Sequence, residues 1–182
     1  MARVEEEHES GLVICLTGPE STGKTTLAAA LAAEFDLPLV QEAARDYLRG
    51  RTSYDREDLL AIAELQLAAE ARALAAGSPA VLADTDLLVI QVWWEEKFGE
   101  LDVRISERLQ ARSARRYLLT RPDIPWTPDP LRESPNDRAR LYLRYQELLV
   151  GSEFIFAEIG GDGGARLKAA RRHVSRWLEE IR

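Results

Sequence analysis

The sequence is short of several things, and each shortage excludes something. It has one cysteine, Cys15, set in an apolar run. A lone thiol cannot close an internal disulfide, so Cys15 reads as a small core residue in a reducing, cytoplasmic setting. Basic charge is also scarce: 24 Lys and Arg against 31 Asp and Glu give a net charge of −7. General nucleic-acid binding needs a basic face, and this composition argues against it. No apolar stretch approaches the ~20 residues that cross a bilayer, and no basic-then-apolar leader pattern opens the chain, so no membrane partner is expected. Histidine is nearly absent; His8 and His173 lie far apart with no partner pattern, and neither is assigned a metal or catalytic role. There is no internal repeat.

What is present is a regular alternation. The 182 residues suffice for one domain, residues 1–182. Residues 1–10, with Glu5, Glu6, Glu7 and Glu9, read as a solvated, flexible terminus. "GLVICLTG" is a short apolar run between glycines and predicts a buried strand. "KTTLAAALAAEF" follows as a helix with Leu27, Leu31 and Phe35 in its stripe. "LPLVQ" predicts a second strand and "EAARDYLRG" a helix closing at Gly50. Ser53 or Asp55 then caps a long helix that Gly77 and Pro79 end. "AVLAD" is a third strand and "TDLLVIQVWWEEKFG" a helix. A helix over roughly Val103 to Ser113, the strand "RRYLLT", the helix "DRARLYLRYQELLVG", the strand "EFIFAEI" and a closing amphipathic helix complete the series. Five short apolar strands separated by helices predict an α/β fold in three layers: a five-stranded parallel sheet with helices on both faces. Ligands in such folds bind at the carboxyl ends of strands.

Gly18, Gly23, Lys24 and Thr25 fit G-x-x-x-x-G-K-[ST], with a strand before and a helix after. Glycines let several backbone N–H groups face one anion, and the helix N-terminus adds about half a positive charge. The segment Gly18, Pro19, Glu20, Ser21, Thr22, Gly23, Lys24, Thr25 and Thr26 is therefore the predicted ATP cradle. Lys24 reaches the β- and γ-phosphates, and the Thr25 hydroxyl takes Mg²⁺. The motif secures nucleotide binding alone; GTPases, motor ATPases and small-molecule kinases all share it.

Carboxylates at strand ends narrow the choice. Glu42 ends the second strand, with Arg45 and Asp46 on the following helix face. It is a candidate base for an attacking hydroxyl, or a first-turn acid paired with Arg45. Asp84 and Asp86 bracket Thr85 at the end of the third strand. Asp84 is a candidate Mg²⁺ ligand, and Thr85 or Asp86 a candidate N-cap. Gln66 and Glu70, at i,i+4, face either a polar ligand or solvent.

Five of the eight prolines fall between Pro122 and Pro135. This 121–138 segment carries Arg121, Arg132 and Arg138 with Trp126 and Asp129, and reads either as a lid delivering guanidinium groups or as a connector. Gly160, Gly161, Gly163 and Gly164 surround Asp162 in a loop that either approaches an adenine or is a turn capped by Asp162. Trp177 reads as packing, and Tyr142 and Tyr145 as core or partner-facing.

In the order "GPESTGKTTL", "EAARDYL", "LADTD", "DIPW..D.LR" and "DR", these motifs resemble the ribosylnicotinamide kinase domain of NadR-type NAD-biosynthesis proteins, over about Leu12 to Glu180. The resemblance implies a P-loop NTPase fold akin to nucleoside kinases, and transfer of the ATP γ-phosphate to the 5′-hydroxyl of nicotinamide riboside. It puts Lys24 and Thr25 on the phosphate and Mg²⁺ positions, Glu42 and Arg45 on the acid and arginine near the substrate, Asp84 and Asp86 on the D-T-D carboxylates, and Trp126, Asp129, Arg132 and Arg138 in the lid region. The kinase reading of the motifs taken together expects Lys24, Glu42, Asp84, Arg132 and Arg138 in catalysis, Thr25 with Asp84 on Mg²⁺, and Glu42, Arg45, Gln66, Asp86, Trp126 and Asp129 around the nucleoside. Three departures accompany it. Only about ten residues precede the first strand, so a stand-alone kinase is expected. Several relatives carry aromatic rings on both sides of the motif glutamate, where this chain has Gln41 and Ala43; Trp93, Trp94 and Trp126 are candidate substitutes. Pro130 replaces a lid glycine. The acceptor therefore stays open between nicotinamide riboside and another nucleoside or small metabolite. A nucleotide-dependent switch acting on a protein partner is the third reading, and a homo-oligomer is left open.

Overall fold

The structure, a computed structural model, describes residues 11–112, 114–128 and 136–181. Its strands are β1 (Leu12–Thr17), β2 (Leu39–Val40), β3 (Ala80–Asp84), β4 (Arg115–Thr120) and β5 (Ile155–Ile159). Its helices are α1 (Lys24–Phe35), α2 (Ala43–Tyr47), α3 (Arg56–Ala75), α4 (Leu87–Phe98), α5 (Val103–Gln110), α6 (Arg138–Val150) and α7 (Gly163–Glu179). The strands form one parallel sheet in the order β2-β3-β1-β4-β5, as the alternating sequence pattern predicts.

Strand β1 is buried along its whole length because it is paired on both sides and covered on both faces. Leu12, Ile14 and Leu16 pack with Leu27 and Leu31 of α1 and with Val174 and Trp177 of α7. Val13 and Cys15 face the other way, against Val89 and Val92 of α4 and Leu141 and Tyr145 of α6. The period of two along the strand thus builds both halves of the core. A third cluster, with Leu59, Ile62, Leu87, Trp94 and Ile105, joins α3, α4 and α5 beside the sheet.

The connection leaving β1 runs toward β2, and the one leaving β4 runs toward β5. The carboxyl ends of β1 and β4 therefore flank the point where the winding reverses, which is where such sheets bind ligands. Two elements are shorter than the sequence suggests. Strand β2 keeps two residues, and α2 runs from Ala43 to Tyr47 with Glu42 as its N-cap, leaving Gly50 beyond it in a left-handed turn. Among the described residues no helix is long and apolar enough to cross a membrane.

Candidate functional site

The loop after β1 is shaped by three left-handed residues, Gly18 (φ 127), Ser21 (φ 54) and Gly23 (φ 78). Gly18 lies so close to β4 that a Cβ there would sit 2.8 Å from the Thr120 carbonyl oxygen. Only glycine meets both demands, which explains the first motif glycine physically. The Thr22 and Thr120 hydroxyls lie 2.6 Å apart, with Pro19 O and Thr17 O as further acceptors at 2.9 and 3.0 Å. The loop is thereby fastened to the reversal point of the sheet. Lys24 Nζ donates to Gly18 O (2.9 Å) and Pro19 O (2.7 Å), which holds the ammonium across the loop. Thr25 and Thr26 are exposed on the first turn of α1.

Asp84 and Asp86 part company at Thr85, whose φ of 73° is left-handed. In an unbroken strand, residues two apart share a face; here the turn separates them. Asp84 follows Leu82 on the α1 face of the sheet and is buried, and its Oδ1 has no hydrogen-bond partner. A buried carboxylate oxygen with an unmet acceptor suits a cation. Asp84 and the exposed Thr25 hydroxyl each offer the oxygen donor that Mg²⁺, a hard cation, takes.

Asp86 corrects the sequence reading, which places it at the substrate. Its Oδ1 accepts from Leu88 N (2.9 Å) and caps α4. Its Oδ2 accepts from Arg112 Nη1 (2.5 Å), Arg115 Nη1 (2.7 Å) and Tyr117 OH (2.7 Å). Burial opposes its charge, but the two guanidinium groups and the phenol outweigh that and hold Asp86 below the usual carboxylate range. Gln66 is likewise structural: its Oε1 accepts from Ala43 N (3.0 Å) and its Nε2 donates to Thr85 O (3.3 Å). Glu70 is buried too, with Oε2 3.2 Å from Arg115 Nη2. Burial, reinforced by the charge of Asp86, pushes its carboxyl up to about 7 despite Arg115. Neither residue of the i,i+4 pair is solvated.

Glu42 and Arg45 are brought to the phosphate loop. Arg45 Nε lies 3.6 Å from Glu42 Oε2, and both residues line a cavity of about 120 Å³ with Lys24, Thr25, Trp93 and Tyr145. A larger cavity of about 440 Å³ adjoins it, walled by Tyr54, Trp93, Glu96, Lys97, Leu141 and Tyr145 among others. Glu20, Trp93 and Tyr145 line both spaces. Burial and the charge of Glu42 raise the Tyr145 hydroxyl well above its ordinary value, so it stays protonated beside that carboxylate.

The described part of the proline segment braces the loop. Trp126 Nε1 donates to Glu20 Oε1 (2.8 Å), and Thr127 N donates to Ser21 Oγ (2.9 Å). Arg138 Nη1 donates to Ser21 O (3.1 Å) and Ile124 O (3.0 Å). Trp126 lines neither cavity, against the expectation that it contacts the nucleoside. Arg138 holds backbone carbonyls in place of the phosphoryl contact expected of it. Asp129 and Arg132 lie outside the described residues. Behind the loop, Arg166 is buried; it donates to Thr22 O (2.7 Å) and Gly161 O (3.1 Å) and pairs with Asp123. Asp162 caps α7 as one of its two readings has it.

Sequence reasoning missed the Arg112, Arg115 and Tyr117 partners of Asp86. The one legible signal was Arg115 opening the short strand that runs on into Tyr117, Leu118 and Leu119, since a charge on a buried strand requires a partner.

The model for the AAA domain family matches residues 13–166. Among solved structures, the NadR protein in complex with NAD and AMP-PNP is similar at a TM-score of 0.73 and 22% identity, covering 92% of this chain and 49% of that one. NadR in complex with NR gives 0.73 and 22%, covering 85% and 47%. The chain thus spans about half the length of the NadR chains it matches. Deoxyadenosine kinase from M. mycoides, with the products dCMP and dCDP bound, is similar at 0.60 and 11%, covering 90% and 99%. Shikimate kinase from Acinetobacter baumannii, in complex with shikimate, is similar at 0.52 and 18%, covering 94% and 96%. At these identities the likeness is one of fold, that of P-loop kinases of nucleosides and small molecules. No curated protein matches the chain.

Proposed function

The chain belongs to the AAA domain family, and from that premise we propose that it is an ATP-dependent kinase that phosphorylates the 5′-hydroxyl of nicotinamide riboside to nicotinamide mononucleotide. The observation that carries the reading is the pair of adjoining cavities. One holds the phosphate loop and Glu42, and the other is large enough for a nucleoside and shares Trp93 and Tyr145 with it. The likeness of fold to NadR with NR bound supports the choice of acceptor.

In the reaction, a bond forms between the acceptor oxygen and the γ-phosphorus, and the bond from that phosphorus to the bridging oxygen of ADP breaks. The hydroxyl proton goes to Glu42, the carboxylate at the cavity beside Lys24. Arg45, 3.6 Å from Glu42, pairs with it at the cavity wall. Loop N–H groups and Lys24 stabilise charge on the phosphoryl oxygens, and such catalysis is chiefly positioning and electrostatics. Thr25 and Asp84 would hold Mg²⁺, which when bound neutralises phosphate charge. Asp86 and Gln66 act at a distance, by fixing α4 and α2.

The test is ADP release across a nucleoside panel, with each product identified by mass. Nicotinamide riboside should give the mononucleotide, and Lys24→Ala should lower turnover by about 10³-fold or more with the fold intact. Wild-type protein giving no turnover of nicotinamide riboside above the ATPase background would sink this acceptor. A second reading, another nucleoside, is favoured by one observation: Gln41 is exposed and Ala43 is bound to Gln66, so neither flank of Glu42 offers a ring.

A further inference from the structure

Four tryptophans are available to meet a ligand, and the structure separates them. Trp177 is wholly buried against α1 and the sheet. Trp94 is buried, packs edge-on to Phe98 and donates Nε1 to Glu100 O at 2.9 Å. Trp126 is committed to Glu20. Trp93, on the neighbouring face of α4, is half-buried and lines both cavities.

Its surroundings suit a flat ligand. The Tyr54 ring lies 5.9 Å from Trp93, centroid to centroid, tilted by only 31°. The Lys97 ammonium sits over that tyrosine at 3.3 Å from its centroid and fixes it in place. Trp93 is thus a half-exposed indole with an aromatic neighbour, set in a mixed wall whose polar members include Glu20, Arg51, Ser53 and Glu96. Aromatic faces hold planar bases by stacking whatever their edge pattern, and polar neighbours take up sugar hydroxyls. A non-aromatic polyhydroxylic acceptor has no planar π-face to stack on the indole.

We propose that Trp93 is the specificity-determining platform of the acceptor site: the acceptor's planar base rests on its indole face in the larger cavity, which sends the sugar hydroxyl toward Glu42 and Lys24 in the smaller. Tyr54 is a positioning residue that sets the plane of Trp93. The proposal rests on the kinase reading of the site, and it would hold for any nucleoside acceptor.

The test compares wild type with Trp93→Ala and Trp93→Phe, using nicotinamide riboside and a panel of other nucleosides and non-aromatic polyols. Trp93→Ala should raise the KM for the accepted nucleoside about 10-fold or more, as loss of one base-stacking ring does, while the KM for ATP stays within about twofold. Trp93→Phe, which keeps a ring, should recover most of the loss. The ATP value certifies that the phosphate loop is still folded. Absorbance provides a second readout: an indole stacked on a pyridinium gives a charge-transfer band, which nicotinamide riboside should induce in wild type and not in either variant. An unchanged nucleoside KM in Trp93→Ala overturns the platform and leaves the kinase reading standing. Wild type that refuses nicotinamide riboside but turns over another nucleoside overturns the acceptor instead, and the same KM comparison with that nucleoside decides Trp93. Turnover of polyols alone overturns both.

Discussion

At the scale of single residues, the lesson lies in "DTD". The spacing marks two carboxylates at a strand end, and the sequence assigns both to the site. What the spacing cannot carry is the sign of φ at Thr85, which turns Asp86 into a buried network while Asp84 stays on the α1 face. The two aspartates should therefore fail differently. Asp86→Asn removes the charge facing two buried guanidinium groups and should cost about 3–5 kcal/mol in urea-induced unfolding. Asp84→Asn should leave stability within about 1 kcal/mol and lower phosphotransfer about 100-fold or more. Equal effects of the two on stability would refute this division. The phosphate loop, by contrast, was legible in full. Its glycines, lysine and threonine are local requirements of one turn, and Gly18 shows why: positive φ and a close approach to Thr120 admit no side chain.

At the scale of elements, apolar periodicity located every strand and helix, since each long element buries one face. It overestimated β2 and α2, because both hold only through contacts distant in sequence. A five-residue helix has too few internal hydrogen bonds to persist alone. Gln66, 23 positions later on α3, supplies an acceptor for Ala43 N at the start of α2 and reaches Thr85 O across the gap to β3. Nothing in the local pattern around Gln66 announces that role. Gln66→Leu keeps a similar volume but orphans both groups, so it should destabilise the protein by about 1–3 kcal/mol. It should also raise the acceptor KM more than the ATP KM, because α2 presents Glu42 whereas β1 presents the loop. Steady-state kinetics alongside thermal melts will check both parts.

At the scale of the whole molecule, the buried ion network sets a dependence on pH. Glu70 has an ordinary pKa of 4.5 and stands at about 7 in the fold, chiefly through burial. The folded state therefore holds a proton that the unfolded state has released, and stability falls as pH rises from about 4.5 to about 7, by up to about 3 kcal/mol. Asp86 is shifted the other way, so its contribution is present above its ordinary value of 3.8 and lost as pH falls below it. Glu70→Gln should flatten the upper slope and leave the acid limb. Unfolding free energies measured at steps from pH 4 to pH 8 should show the variant gaining steadily on wild type as pH rises from about 4.5 to about 7, and a constant difference would refute it. The same wide view bears on the sheet. Strand β1 is hydrogen-bonded along both edges and clamped between two helix layers, whereas β2 is a two-residue margin that, among the described residues, pairs with β3 alone. In mechanical terms the phosphate loop hangs from a strand held along both edges, and Glu42 follows one held along a single edge. Any strain that a closing site generates must relax on the Glu42 side, so the acceptor wall can adjust to its ligand while the phosphates keep one fixed address.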